Sequence, residues 1–175
     1  MAAVEMKTSK KVSGDMSGME VLDNLAKGAK LGAAFGIEDR QLEAVYAIGL
    51  GQYQQGRYDD AMKLFAFISF HDPTFMKAFK GIGSCLQMLG RHQEALVYLG
   101  LAIIDDDSDL QTAVQIAESL VHVGQREDAH LLLKRITREL ARHGGNDYTQ
   151  RKAEGLVALL VQGRTAVTTS SEILH

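Results

Sequence analysis

The feature that most constrains this chain is an interval. Glycines at 56, 90 and 124 stand 34 residues apart, as do alanines at 61, 95 and 129 and the small residues Gly49, Gly83 and Ala117. Three segments superpose on that interval without gaps. The first runs Val45-Tyr46-Ala47-Ile48-Gly49, then Gly56-Arg57-Tyr58-Asp59-Asp60-Ala61, and closes at Asp72-Pro73. The second has Phe79-Lys80-Gly81-Ile82-Gly83 and Gly90-Arg91-His92-Gln93-Glu94-Ala95, and the third Ala113-Val114-Gln115-Ile116-Ala117 and Gly124-Gln125-Arg126-Glu127-Asp128-Ala129. A fixed period of this length marks a stack of like units, none able to bury its apolar face alone.

Each recurring residue has a physical reason. The small residue at 49, 83 and 117 lets the first helix of a pair approach the second closely. Glycine at 56, 90 and 124 ends that first helix, because the left-handed C-terminal conformation carries no side-chain penalty there. Alanine at 61, 95 and 129 sits where the two helices cross, where bulk would force them apart. Phe65, Leu99 and Leu133, with Ile48, Ile82 and Ile116, recur on the same schedule as core fillers. A single proline and no tryptophan agree with helices throughout. These residues resemble the tetratricopeptide repeat. The expected fold is all-α: three tandem repeats, 42–75, 76–109 and 110–142, forming a superhelix of helix pairs.

Around the repeats, residues 1–15 lack periodicity and read as a disordered N-terminus. Residues 16–41 form an N-terminal helical region, with Met19, Leu22, Leu25, Ala26 and Ala29 at helical spacing and Asp39 as the candidate cap of the next helix. Gly28, Gly32 and Gly36 would share one face of a continuous helix. They mark either a close helix contact, such as a dimer seam, or a weakened and mobile arm. After the break at His143-Gly144-Gly145-Asn146, residues 146–163 read as a helix capping the last repeat, and residues 164–175 as a flexible tail.

Several function classes are disfavoured. A net charge of −3 gives no clustered positive face for a nucleic-acid backbone. One cysteine, Cys85, excludes an internal disulfide and fits a reducing compartment. The N-terminus does not read as a secretory signal, and the longest apolar run, residues 96–104, is too short to insert in a membrane. The chain is therefore expected to be soluble and cytoplasmic.

Apparent chemistry reduces to structure. The run Asp105-Asp106-Asp107-Ser108-Asp109 has Leu110 and Ile116 where a calcium loop needs glycine and a terminal carboxylate; a solvated turn capped by Ser108 or Asp109 is the better reading. Glu118 and His122 share a helix face but lack the second histidine of a zinc site. Cys85 occupies a small-residue position matched by Gly51 and Ser119, so it reads as a buried thiol. No catalytic, metal or cofactor constellation emerges.

In tetratricopeptide architecture the first helix of each pair lines a concave wall. Its exposed positions are here Glu43, Tyr46, Leu50, Tyr53 and Gln54, then Lys77, Lys80, Ser84, Gln87 and Met88, then Gln111, Val114, Glu118, Val121 and His122. Repeat one thus offers an apolar-aromatic strip of Tyr46, Leu50 and Tyr53, to which Val114 and Val121 add; Tyr46 or Tyr53 packing inward is the alternative. The residues from Val45 to Ala61 and from Phe79 to Gly90, with Leu25-Ala26-Lys27-Gly28-Ala29-Lys30 ahead of them, further resemble the class II chaperones of bacterial type III secretion.

That resemblance implies a bacterial cytoplasmic chaperone, not an enzyme. Its groove would hold an extended segment of a hydrophobic translocator protein, keeping it soluble and secretion-competent. It also implies that Tyr46, Leu50 and Tyr53 supply pockets, that dimers form through the N-terminal region, and that some members assist a transcriptional activator. A generic peptide-binding scaffold, or a chaperone of a secretion needle subunit, is the alternative function.

Overall fold

A computed structural model describes residues 30–104, 108–144 and 146–172, with residues 163–172 described by backbone alone. Residues 1–29 lie outside it, and with them the expectations for a disordered N-terminus, for the helix before Lys30 and for Gly28.

The described residues form helices α1 (Leu31–Ala34), α2 (Asp39–Gln54), α3 (Tyr58–His71), α4 (Met76–Met88), α5 (His92–Ile103), α6 (Leu110–His122), α7 (Arg126–His143) and α8 (Asp147–Glu172). No strand occurs among them. Each helix from α2 to α8 packs on its neighbours in sequence, and the first helices of the pairs also touch, α2 with α4 and α4 with α6. That second set of contacts is what makes a stack of helix pairs rather than a bundle.

The turns within pairs repeat atom for atom. Gly56, Gly90 and Gly124 have φ of +77°, +74° and +83°. Beside each, one amide reaches back across the helix end: Arg57 N to Gln52 O at 3.0 Å, Arg91 N to Leu86 O at 2.8 Å and Gln125 N to Leu120 O at 2.9 Å. These bonds satisfy carbonyls that a helix end leaves open.

The helix crossings are tight. Ala61, Ala95 and Ala129 are wholly buried, as are Phe65, Leu99 and Leu133 one turn further on. A methyl carbon on Gly49 would stand 2.7 Å from the Phe65 ring, and one on Gly83 would stand 2.6 Å from Leu99 Cγ. The bulky residue of the second helix fills the space that the small residue of the first leaves open.

Four expectations need correction. Ile48 is 56% exposed where Ile82 is 3%, because α4 has α3 on one side and α5 on the other, whereas α2 lacks a preceding helix of that kind among the described residues. The cap of α2 is Glu38 rather than Asp39, in a reciprocal box with Gln41 whose Oε1 accepts from Glu38 N at 2.8 Å. Gly36 has φ +71° and ends α1, so no continuous helix carries it with Gly32. Gly32 instead lies against α3, where a methyl carbon would be 3.2 Å from His71 Cβ. Finally, α8 runs on to Glu172 rather than ending at 163, with no proline to stop it.

The chain segment ahead of repeat one is fastened by a buried carboxylate. Asp72, 2% exposed, pairs with Lys30 at 2.7 Å and accepts from Thr74 N at 2.9 Å and Thr74 Oγ1 at 2.6 Å. Burial pushes this carboxyl up, but the Lys30 and Thr74 hydrogen bonds outweigh it and hold the group below its ordinary value.

Two glycine substitutions separate close approach from simple helix weakness. Gly83→Val overpacks the α4–α5 crossing, with an expected loss of about 1–3 kcal/mol in urea unfolding. Gly100→Ala, inside α5 with nothing within 4 Å of the added carbon, is expected to stabilise by about 0.5–1 kcal/mol.

Candidate functional site

The first helices of the pairs face a cavity of about 600 Å³. Tyr46, Leu50 and Tyr53 of α2 line it, with Lys77, Lys80 and Ser84 of α4 and Gln111 of α6, all concave-wall positions of the repeat. Helical spacing brings them together: residues three or four apart share a face. Phe65, Gly81, Gln115 and Tyr148 complete the lining.

The α2 side is aromatic. Tyr46 is half-buried, its ring 5.4 Å from Phe65 and 5.6 Å from Phe75, so it both packs inward and lines the cavity. Tyr53 lies 5.3 Å from Tyr58, edge-on, and Leu50 is 38% exposed. Burial raises the phenols of Tyr46 and Tyr53, seconded by Glu43 at Tyr46 and by Cys85 at Tyr53, so these two remain neutral hydroxyls at physiological pH.

The opposite side is polar and internally paired. Lys77 meets Glu43 at 3.3 Å and stands 6.0 Å over the Tyr46 ring. Lys80 meets Asp109 at 2.8 Å, and Lys152 of α8 meets Glu118 at 2.7 Å. Gln87 Nε2 lies within 2.8 Å of Gln115 O and 2.9 Å of Ser119 Oγ, while Gln115 Nε2 donates to Ser84 Oγ at 2.8 Å. These bonds tie α4 to α6 and leave the wall polar without excess charge.

Not every expected wall residue faces the cavity. Val114 is 1% exposed and belongs to the core beneath repeat three, with Ala113, Ala117 and Leu133; Val121 packs against the same cluster. Repeat three therefore contributes Gln111 and Gln115 to the cavity, not a valine strip. Gln87 and Glu118 act as ties rather than lining. Gln54 is exposed but not part of the cavity. Met88 is 53% exposed at the end of α4, outside the cavity. His122 stacks on His92 of α5, centroids 3.9 Å apart and planes within 2°, which places it on the junction between repeats two and three.

Residues singled out for other chemistry take structural roles. Cys85 is wholly buried, and burial, with Asp59 adding, pushes its thiol up to about 12, far from a reactive thiolate. Asp109 caps α6, accepting from Thr112 N at 3.0 Å; residues 105–107 lie outside the description. Among the described residues no group of histidine, cysteine and carboxylates is arranged to hold a metal, and no helix is long and apolar enough to cross a membrane.

Tyr148 belongs by sequence to the capping helix, yet the period also marks it as a wall position. It stands 34 residues after Val114, in the register Tyr46, Lys80, Val114, Tyr148, and Lys152 follows Leu50, Ser84 and Glu118 in the same way. The row Gly51, Cys85, Ser119 continues to Ala153, which is wholly buried. Among the described residues no second helix follows α8, so the signal there is half a repeat.

No family model matches the sequence. Low calcium response locus protein H of Yersinia pestis is 30% identical over 93 residues, 53% of this chain and 55% of that protein, so the chain spans about half the length of the curated relatives it matches. Among solved structures, the Yersinia enterocolitica type III secretion chaperone SycD, in complex with a peptide of the translocator YopD, superposes with a TM-score of 0.67 at 23% identity, covering 73% of this chain and 98% of its own. PcrH, the Pseudomonas aeruginosa protein, in complex with the chaperone binding region of PopD, superposes with a TM-score of 0.62 at 27% identity, covering 78% and 97%. Its structural relatives are class II translocator chaperones of type III secretion. The all-helical repeat fold is thus the fold of these chaperones.

Asp109 both caps a helix and pairs across the wall. Burial raises its carboxyl, but hydrogen bonds from Lys80 and Thr112 outweigh burial and hold it below its ordinary value. A depressed folded value means stability that is present above the unfolded value and lost as the pH falls through the folded one. Asp109→Ala is expected to cost about 1–2 kcal/mol in urea unfolding at neutral pH. The stability difference from the parent chain should shrink as the pH is lowered through the carboxylate range.

Proposed function

We propose that the chain is a bacterial cytoplasmic chaperone of type III secretion, not an enzyme, whose concave cavity holds an extended segment of a hydrophobic translocator protein and so keeps that protein soluble and secretion-competent. The observation that carries this reading is the cavity itself: an aromatic side of Tyr46, Leu50 and Tyr53 facing a polar side whose cations are each paired. An apolar anchor gains by leaving water against the first side, at about 25 cal/mol per Å². The second offers amide and hydroxyl groups to the guest's backbone and no net charge to select a charged guest.

The relatives support the choice of guest, since SycD and PcrH were each captured with a translocator segment. A membrane-seeking segment left uncovered would aggregate, and a groove of this kind removes it from water reversibly. Release then falls to an outside machine or a competing partner. Tyr46, Leu50, Tyr53, Lys77, Lys80, Ser84 and Gln111 form the proposed contact set. In this reading, dimerisation through the residues ahead of repeat one and assistance to a transcriptional activator are further roles.

The test uses a fluorescent peptide of the PopD chaperone binding region and, in parallel, co-expression with full-length translocators. Leu50→Glu, at an exposed position, is expected to weaken peptide binding at least about tenfold, about 1.4 kcal/mol, while the helical signal stays unchanged. Unaltered binding by this variant and by Tyr46→Ala with Tyr53→Ala would overturn the groove assignment.

A further inference from the structure

We infer that α8 is a fourth groove-lining helix, and that Tyr148 closes on the bound segment from the side opposite Tyr46 and Tyr53, with Lys152 holding it in position. The inference rests on the groove reading above and extends it to a helix outside the three repeats.

Three observations converge. First, α8 occupies the place of another first helix: α6 touches it, as α4 touches α6 and α2 touches α4. Its Ala153 continues the buried small-residue row of Cys85 and Ser119. Second, Tyr148 lines the same cavity as Tyr46, Leu50 and Tyr53, yet is 56% exposed. An aromatic ring on a cavity wall with more than half its surface in water still has area to bury when the space fills.

Third, the helix is latched at that point. Lys152 Nζ lies 2.7 Å from Glu118 Oε2 on α6, 3.4 Å from the Tyr148 hydroxyl and 5.7 Å from its ring centroid. One cation therefore ties α8 to α6 and supports the tyrosine. Both partners of the pair are only a quarter exposed, which spares it much of the screening that weakens surface pairs. Lys152 is a positioning residue and Tyr148 a contact residue.

A fourth helix lengthens the groove by one interaxial spacing, about 8–10 Å. At about 3.3 Å per extended residue, this adds roughly three residues to the guest segment that the wall touches.

The test uses the full chain and the fluorescent PopD peptide. Tyr148→Ala is expected to weaken binding about five- to tenfold. Lys152→Met should weaken it similarly, with Lys152→Arg restoring most of the loss. Benzoylphenylalanine at 148 is expected to cross-link the peptide, while the same group in place of the exposed Leu131 on α7 does not. Tyr53→Ala serves as the groove control. If Tyr53→Ala weakens binding while Tyr148→Ala leaves it unchanged or tightens it, the fourth-helix inference falls and the groove stands. If the parent chain does not bind the peptide, or neither variant has an effect, the groove reading fails and takes this inference with it.

Discussion

The close approach of paired helices at residues with almost no side chain is the constraint on which the rest of this molecule depends. Phe65 lies in the space left by Gly49, and also against Gly81 of the next pair, so one ring binds a helix pair internally and joins it to its neighbour. Leu99 likewise fills the space left by Gly83 within the second pair. Because these contacts recur at a fixed sequence interval, successive pairs stack with their first helices in contact. A row of first helices results, with one face turned inward. The cavity is thus a by-product of how the core is spaced, and a change in volume at Gly83 or Phe65 is felt at the wall.

The wall is built so that its charges do little selecting. Lys77, Lys80 and Lys152 each have an acidic partner on a neighbouring helix, and the same pairs staple the helices together. What remains for a guest is an aromatic edge on one side and amide and hydroxyl groups on the other. Under the proposed function, an arrangement of that kind suits an uncharged extended segment, whose apolar side chains would meet Tyr46, Leu50 and Tyr53 and whose backbone polar groups would face Ser84, Gln111 and Gln115. The chain shares its fold with SycD and PcrH.

Much of this was legible before any coordinates, because the interval constrains residue type at the crossings, where only small residues fit. Gly56, Gly90 and Gly124 take the left-handed conformation, and the alanines at 61, 95 and 129 are fully buried. Departures came where a position's environment depends on what flanks it. Ile48 shares the register of Ile82 but not its neighbours, so it is exposed. Val114 occupies a wall position by number, yet the junction with the terminal helix turns it into core; His122 is likewise held against His92. Tyr148 lay on the period all along, but half a repeat after a glycine break carries too few matched positions to stand out.

Amide hydrogen exchange with and without a saturating translocator segment tests the central claim most directly. The account predicts that protection on binding appears on the first helices, around residues 46–53, 80–87 and 111–118, and leaves α3, α5 and α7 largely unchanged. Protection confined to those outer helices, with the inner wall exchanging as freely as before, would contradict it.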